Sequence, residues 1–293
     1  MRLPITAMAA MLLTGLTLSG CERSPQPEPV SQTVGFVLPE PISNNAVAVA
    51  DGPDGPTFYS FNGLKAGKTW KDTSNAAYAC VVATESCKII ASVPVPEGRL
   101  ASAAVPVAGK IYIFGGYTVA ANGDEVSTPE VFAYDPATGR YEQKADMPTP
   151  VDDALVVPYQ NRFIYVISGW HDEGNVSTVQ LFDTMTGAWT EATPFPGTPV
   201  FGHAGGISGD SIIVSDGVAT VFAEGKRGVP ARPSGGFFAY DLKKDQWIEL
   251  GRLAESSMDH RGLAQAGQDY YILGGMDEEQ TVIDRIVKFR ISN

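Results

Sequence analysis

Only three histidines occur in the 293 residues, and each stands in a short run crowded with other ionisable or stacking groups. "SMDHRGL" (257–263) sets Asp259, His260 and Arg261 side by side, "WHDEGN" (170–175) joins Trp170 to His171, and "PVFGHAG" (199–205) holds His203. Two further runs are alike, "PEGRLAS" (96–102) with Arg99 and "TPVDDAL" (149–155) with Asp152 and Asp153. The glycine-rich stretch "GVATVFAEGKRGVPARPSGG" (217–236) adds Glu224 and Arg227. Imidazole titrates near neutral pH, so His203 or His260 with Glu224 or Asp259 has the makings of a general acid and base. Arg227 or Arg261 can hold a ligand carboxylate through two parallel hydrogen bonds. Trp170 beside His171 offers a flat apolar face next to donors and acceptors, which suits a sugar ring. Asp153 and Asp259 are the carboxylates that a glycosidase would need. For Arg99 and His203 a structural reading, bonding to neighbouring carbonyls, stands level with ligand contact. No Cys/His cluster has metal-ligand spacing, so no metal or other cofactor is expected.

What positions these runs is a repeat. "TFYSFNGL" (57–64), "IYIFGGY" (111–117), "IYVISGW" (164–170), "SIIVSDGV" (211–218) and "YYILGGM" (270–276) are apolar strands ending in a small pair. Their last glycines, Gly63, Gly116, Gly169, Gly217 and Gly275, are spaced by 53, 53, 48 and 58 residues. A second signature follows in three units: "VFAYDPATGRYEQKADMP" (131–148), "VQLFDTMTGAWTEATPFP" (179–196) and "FFAYDLKKDQWIELGRLA" (237–254). Each has an aromatic-Asp pair, a turn, and then Tyr141, Trp189 or Trp247 seven residues after the first aromatic. A period near 50 with short strands marks a β-propeller of kelch type, in which small sheets stack around an axis to bury their faces. Asp135, Asp183 and Asp241 are assigned to turn amides and the later aromatics to the space between blades. The units run about 45–98, 99–150, 151–199, 200–255 and 256–293, giving five blades, with six as the alternative because the first unit lacks the aromatic-Asp pair. The last unit lacks an outer strand, and residues 32–41, which resemble 189–198, are expected to supply it and close the ring. The chemistry-bearing runs then lie on one face, leading into the first strand of each blade or leaving the second.

The first 20 residues read as a signal peptide, with Arg2 ahead of an apolar run from Ile5 to Leu18. "LSGC" resembles the bacterial lipobox, which implies lipidation of Cys21, and Glu22 after it points to the outer membrane. Residues 21–31 are a proline-rich tether, leaving 32–293 for the propeller. Cys80 and Cys87, with six residues between them, invite a disulfide across a hairpin in an exported protein. A formal charge of −12 disfavours nucleic acid.

The double glycines, aromatic-Asp pairs and spaced tryptophans resemble bacterial kelch-repeat proteins from Val34 to Ser292. More loosely, "VLPE" at Val37–Glu40 and the loop with Glu224 and Arg227 resemble the exported sialic acid mutarotases (N-acetylneuraminate epimerases). The resemblance implies a sugar isomerase with acid-base groups at the channel mouth. The first expectation is a periplasm-facing, lipid-anchored cell-envelope module that binds a carbohydrate or an envelope protein through that face. The alternative is the mutarotase or epimerase activity itself.

Overall fold

Five strands converging on an axis leave little room there, and the sequence meets this with small side chains. The innermost strands read AVAVADG, AAVPV, LVVPY, AGGIS and AQA. The computed structural model describes residues 32–52, 54–172, 174–219, 232–253, 264–277 and 279–290, and these form a five-bladed all-β propeller. β1 (Gln32–Val37) comes first. Blade one is β2 (Ala46–Gly52), β3 (Gly55–Leu64), β4 (Thr73–Val81) and β5 (Ser86–Ile90). Blade two is β6 (Ala103–Val107) and β7 (Lys110–Phe114), an exit hairpin of β8 (Tyr117–Val119) and β9 (Glu125–Ser127), then β10 (Val131–Asp135) and β11 (Arg140–Gln143). Blade three repeats the plan with β12 (Leu155–Tyr159), β13 (Phe163–Ile167), the hairpin β14 (Trp170–His171) and β15 (Gly174–Asn175), β16 (Val179–Asp183) and β17 (Ala188–Glu191). Blade four is β18 (Ala204–Ser208), β19 (Ser211–Ser215), β20 (Gly236–Asp241) and β21 (Gln246–Arg252). Blade five is β22 (Ala264–Ala266), β23 (Asp269–Leu273) and β24 (Arg285–Arg290), with β1 as its outer strand.

The closure is antiparallel, Gln32 opposite Phe289 through Val37 opposite Arg285. It continues past the strand: Leu38 N donates to Asp284 O (2.8 Å), Ile42 N to Ile283 O (3.2 Å) and Gly275 N to Ile42 O (2.9 Å). Glu40 accepts from the Tyr78 hydroxyl, which fastens the same segment to blade one. Apolar clusters fill the spaces between blades one and two, two and three, three and four, and five and one. No blade buries both faces alone.

The seven-residue aromatic spacing is a register effect. Tyr134 stands opposite Tyr141, Phe182 opposite Trp189 and Tyr240 opposite Trp247, across the hairpin to the outer strand. Asp135, Asp183 and Asp241 each accept a hydrogen bond from an amide of that turn. The later aromatic of each pair also reaches back to the preceding blade: Tyr141 donates to Ala91 O (2.7 Å), Trp189 to Ala145 O (3.0 Å) and Trp247 to Thr193 O (2.8 Å). Blade one is a regular four-stranded blade without this signature, and the reason is Cys80 and Cys87. They are a disulfide in the same register position, one residue before the strand end, and take the place of the aromatic pair.

The small pairs work as a two-step turn. All ten residues of Asn62–Gly63, Gly115–Gly116, Ser168–Gly169, Asp216–Gly217 and Gly274–Gly275 have φ between +48° and +118°. The first step tolerates Asn, Ser or Asp, which visit the left-handed region with modest strain. At Gly169 φ is +110°, and a Cβ there would stand 2.7 Å from Asp152 O. Glycine therefore serves twice, in conformation and in clearance.

Candidate functional site

The segments leading into the inner strands are stitched to one another around the axis. Ala101 N donates to Asn44 O (3.0 Å), Asp153 N to Ala101 O (3.0 Å) and Gly202 N to Asp153 O (2.9 Å). The four residues share one left-handed conformation, φ +48° to +55°. This backbone bracelet fixes the level of the channel mouth, and the residue before each of its members faces the exit segment of its own blade. Asp152 and Trp170 are one such pair, with Asp152 N donating to Trp170 O (3.0 Å) and Trp170 N to Asp152 O (2.9 Å).

Above the bracelet a pocket of about 210 Å³ opens between blades two, three and four. Its walls are Tyr117 and Glu125 from the hairpin of blade two, Trp170 from that of blade three, and Phe201 from the lead-in of blade four. Ser127, Asp152 and Asp153 complete it. Trp170 and Phe201 meet edge to face, 5.7 Å between ring centres, and make an aromatic corner. Ser127 Oγ donates to Asp152 Oδ2 at 2.6 Å, both residues being buried. Ser127 N in turn donates to Asp172 Oδ1 (3.2 Å), and Asp172 N to Ser127 Oγ (3.2 Å). The Trp170 indole N–H donates to Asp172 O (3.0 Å), which sets the plane of the ring. The two hairpins are thus locked together at Ser127.

Burial dominates the electrostatics of Asp152. Loss of solvent, with the negative charges of Asp153, Glu125 and Asp172 nearby, pushes its carboxyl up to about 8, against the lowering effect of the Ser127 hydroxyl. Burial thus favours the protonated acid over the carboxylate near neutral pH. Among the described residues no group of three His, Cys, Asp or Glu side chains is arranged to hold a metal ion.

Of the residues singled out in the sequence, Asp152, Asp153 and Trp170 line this pocket. His171 neighbours it in β14, Nε2 lying 3.7 Å from Asp172 Oδ2. His203 is buried at the start of β18, in the space that Gly217 leaves open beside it. Arg99 is buried away from the pocket, its two terminal nitrogens bonded to Glu130 at 2.8 and 3.1 Å. Glu224, Arg227, Asp259, His260, Arg261 and Cys21 lie outside the described residues. Sequence reasoning passed over Glu125, Ser127 and Phe201. The first two sit in the segment between the second and third strands of blade two, and treating that whole segment as an exit loop on the channel-mouth face is the signal that finds them. Phe201 precedes His203 by two residues, and in that run the imidazole is the more conspicuous group.

Comparisons with known proteins bear on the architecture. Residues 98–148 match the family model described as "Kelch motif". The chain is 22% identical over 206 residues to Kelch-like protein 36 of Bos taurus, covering 70% of this chain and 32% of that protein. With Kelch-like protein terF of Aspergillus terreus it shares 29% identity over 220 residues, 72% of this chain and 45% of the relative. It spans about a third of the length of the mammalian Kelch-like 36 proteins it matches. The solved structure of YjhT superposes with a TM-score of 0.60 at 18% identity, over 83% of this chain and 75% of that one. At such identity the likeness is one of fold.

Proposed function

We propose that this propeller is a cell-envelope binding module that takes a carbohydrate in the pocket between blades two, three and four. The observation that carries this reading is the pairing of an aromatic corner, Trp170 against Phe201, with a polar floor of Ser127, Asp152 and Asp153 in one concavity. Sugars present apolar C–H faces and a rim of hydroxyls, and a site that stacks one while bonding the other holds them with few contacts. The volume suits one ring, or the end of a chain, better than an extended oligosaccharide. The signal peptide and the lipobox-like Cys21 are the grounds for the envelope location and a lipid anchor. Saturation-transfer NMR with a panel of monosaccharides tests the reading, with Trp170→Ala as control. Signals on ring protons that vanish in the variant are expected, and their absence across the panel sinks it.

A second reading rests on Asp152. A buried carboxyl that keeps its proton at neutral pH is the kind of group that protonates a sugar ring oxygen, as the mutarotase alternative requires. Anomer exchange followed by NMR, with and without Asp152→Asn, separates an enzyme from a binder.

A further inference from the structure

We propose that Asn122, at the tip of the β8–β9 hairpin, is a site of self-modification, where the Gly123 nitrogen attacks the side-chain amide and converts the residue to aspartate and isoaspartate. The inference does not depend on what the pocket binds.

The dipeptide Asn-Gly occurs twice in the chain, at Asn62–Gly63 and Asn122–Gly123. Glycine leaves the approach to its own nitrogen unhindered, having no Cβ. That nitrogen sheds its proton and bonds to the asparagine Cγ. The Cγ–Nδ2 bond breaks, and ammonia leaves with the proton. Water then opens the cyclic imide at either carbonyl. One opening gives aspartate, and the other gives isoaspartate, with the main chain rerouted through the side chain.

The fold separates the two candidates. Asn62 is 1% exposed, its Nδ2 donates to the buried Ser102 Oγ (3.0 Å), and Gly63 N donates to Arg99 O (2.8 Å). The amide and the attacking nitrogen are therefore both committed to the lead-in of blade two. A Cβ on Gly63 would stand 2.6 Å from Ser43 O, so the space around this peptide is filled. Freeing it means opening the interface between blades one and two, at a cost near that of global unfolding.

Asn122 is exposed, in a turn closed by Ala120 N donating to Asp124 O (2.8 Å) and Gly123 N to Ala120 O (2.9 Å). Only the second of these holds the attacking nitrogen, and a solvated bond at a hairpin tip opens at little cost. Asp124 grips the amide that is attacked. Asn122 Nδ2 donates to Asp124 Oδ2 (2.7 Å), and Asp124 N donates to Asn122 Oδ1 (3.2 Å). This last bond curls the side chain back over the peptide that follows it. It also places a donor on the oxygen where charge develops as Cγ is attacked. A Cβ on Gly123 would meet nothing within 4 Å, so the surroundings leave room for the ring to close.

The hairpin that changes is a wall of the pocket, to which it brings Tyr117, Glu125 and Ser127. Either product adds a negative charge at the tip beside Asp124. Isoaspartate also lengthens the main chain inside the turn, which loosens the pairing of Val119 with Glu125 below it. The pocket wall thus alters with the age of the molecule.

The test is incubation of the full-length protein at pH 6 and pH 9, with tryptic peptides read by mass spectrometry and isoaspartate by methyltransferase labelling. The peptide 111–140, which carries Asn122, should gain oxygen for NH over time as a mixture of the two products. The change should run several-fold faster at pH 9, since the attacking amide must lose its proton. Asn62, in the peptide 24–65, should stay intact in the folded protein. In urea the contrast should disappear, with both sites converting at similar rates. Gly123→Ala should slow the reaction at Asn122 several-fold, because its methyl shields the nitrogen. Conversion of Asn62 as fast as Asn122 in the folded protein overturns the inference, and so does an Asn122 that stays intact while Asn62 and Asn122 both convert in urea.

Discussion

Ser127 and Asp152, on adjacent blades, share a hydrogen bond of 2.6 Å between two buried side chains. One hydroxyl holds the floor of the pocket to its wall, since Ser127 also exchanges hydrogen bonds with Asp172 in the next hairpin. The bond keeps the Asp152 carboxyl aimed at the cavity instead of at solvent. It also sets the protonation state, because a single neutral donor lowers the carboxyl less than burial raises it.

Asp152 therefore makes stability depend on pH in a direction unusual for an aspartate. Its folded pKa is raised from 3.8 to about 8. Below about pH 4 the group is protonated in both states and has no effect. Between there and about pH 8 the unfolded chain has lost the proton and the folded chain still binds it, so stability falls as pH rises, levelling above the folded value. Asp152→Asn should keep the Ser127 bond and abolish this slope. Its advantage over the parent should grow from nothing at pH 4 to a few kcal/mol at pH 9, an order of magnitude taken from the pKa difference. Urea melts of both proteins at pH 4, 6 and 9 measure it, and a constant difference across the three refutes it.

The repeat was readable because its chemistry is local and enforced five times. A left-handed pair after each second strand admits few residue types, so Gly63, Gly116, Gly169, Gly217 and Gly275 mark the blades in the sequence. Aromatics at seven-residue spacing are visible because a hairpin puts them face to face. Blade one was the least legible unit since it performs the same cross-strand task with Cys80 and Cys87, a substitution of chemistry that hydrophobic pattern does not register. The pocket was only half legible. Asp153 and Trp170 fall in runs that stand out as polar or aromatic, whereas Ser127 is an ordinary loop serine until the blades are assembled. Its partner Asp152 lies in another blade, and such pairings follow from how blades stack, which no single repeat encodes.

That substitution yields a measurable consequence. Cys80 is fully buried and packs with Phe58, Tyr78 and Tyr271, so the disulfide sits in the interface that closes the ring. It spans a loop of sequence separation 7, and so short a loop is expected to contribute only about 2–3 kcal/mol by restricting the unfolded chain. The double variant Cys80→Ala/Cys87→Ala should lower stability by that amount or more, because the methyls leave a cavity between blades. Denaturation of the parent with and without reductant should show a loss in the same direction. Equal midpoints in all three would mean that the closing interface does not depend on the bridge.

Arg99 offers the opposite test, separating architecture from ligand contact. Its guanidinium forms a two-pronged pair with Glu130, its amide donates to Ser74 O (3.2 Å) and its carbonyl accepts from Gly63 N (2.8 Å), so one residue joins blades one and two. Side-chain exposure is 5% for Arg99 and 30% for Glu130, so the pair is screened only from one side. Hydrogen bonding to Arg99 holds the Glu130 carboxyl below its usual range, which means its stabilisation is present above pH 4.5 and is lost as pH falls through the folded value. Arg99→Ala should cost on the order of 2–4 kcal/mol at pH 7, since it strands a partly buried carboxylate. The cost should shrink at pH 3, where Glu130 takes up a proton and no longer needs the partner. Ligand affinity at the Trp170 pocket should stay within about twofold of the parent, because Arg99 is not part of its lining. Thermal melts at the two pH values with a titration at pH 7 measure all three quantities. A large loss of affinity with unchanged stability would return Arg99 to the binding face.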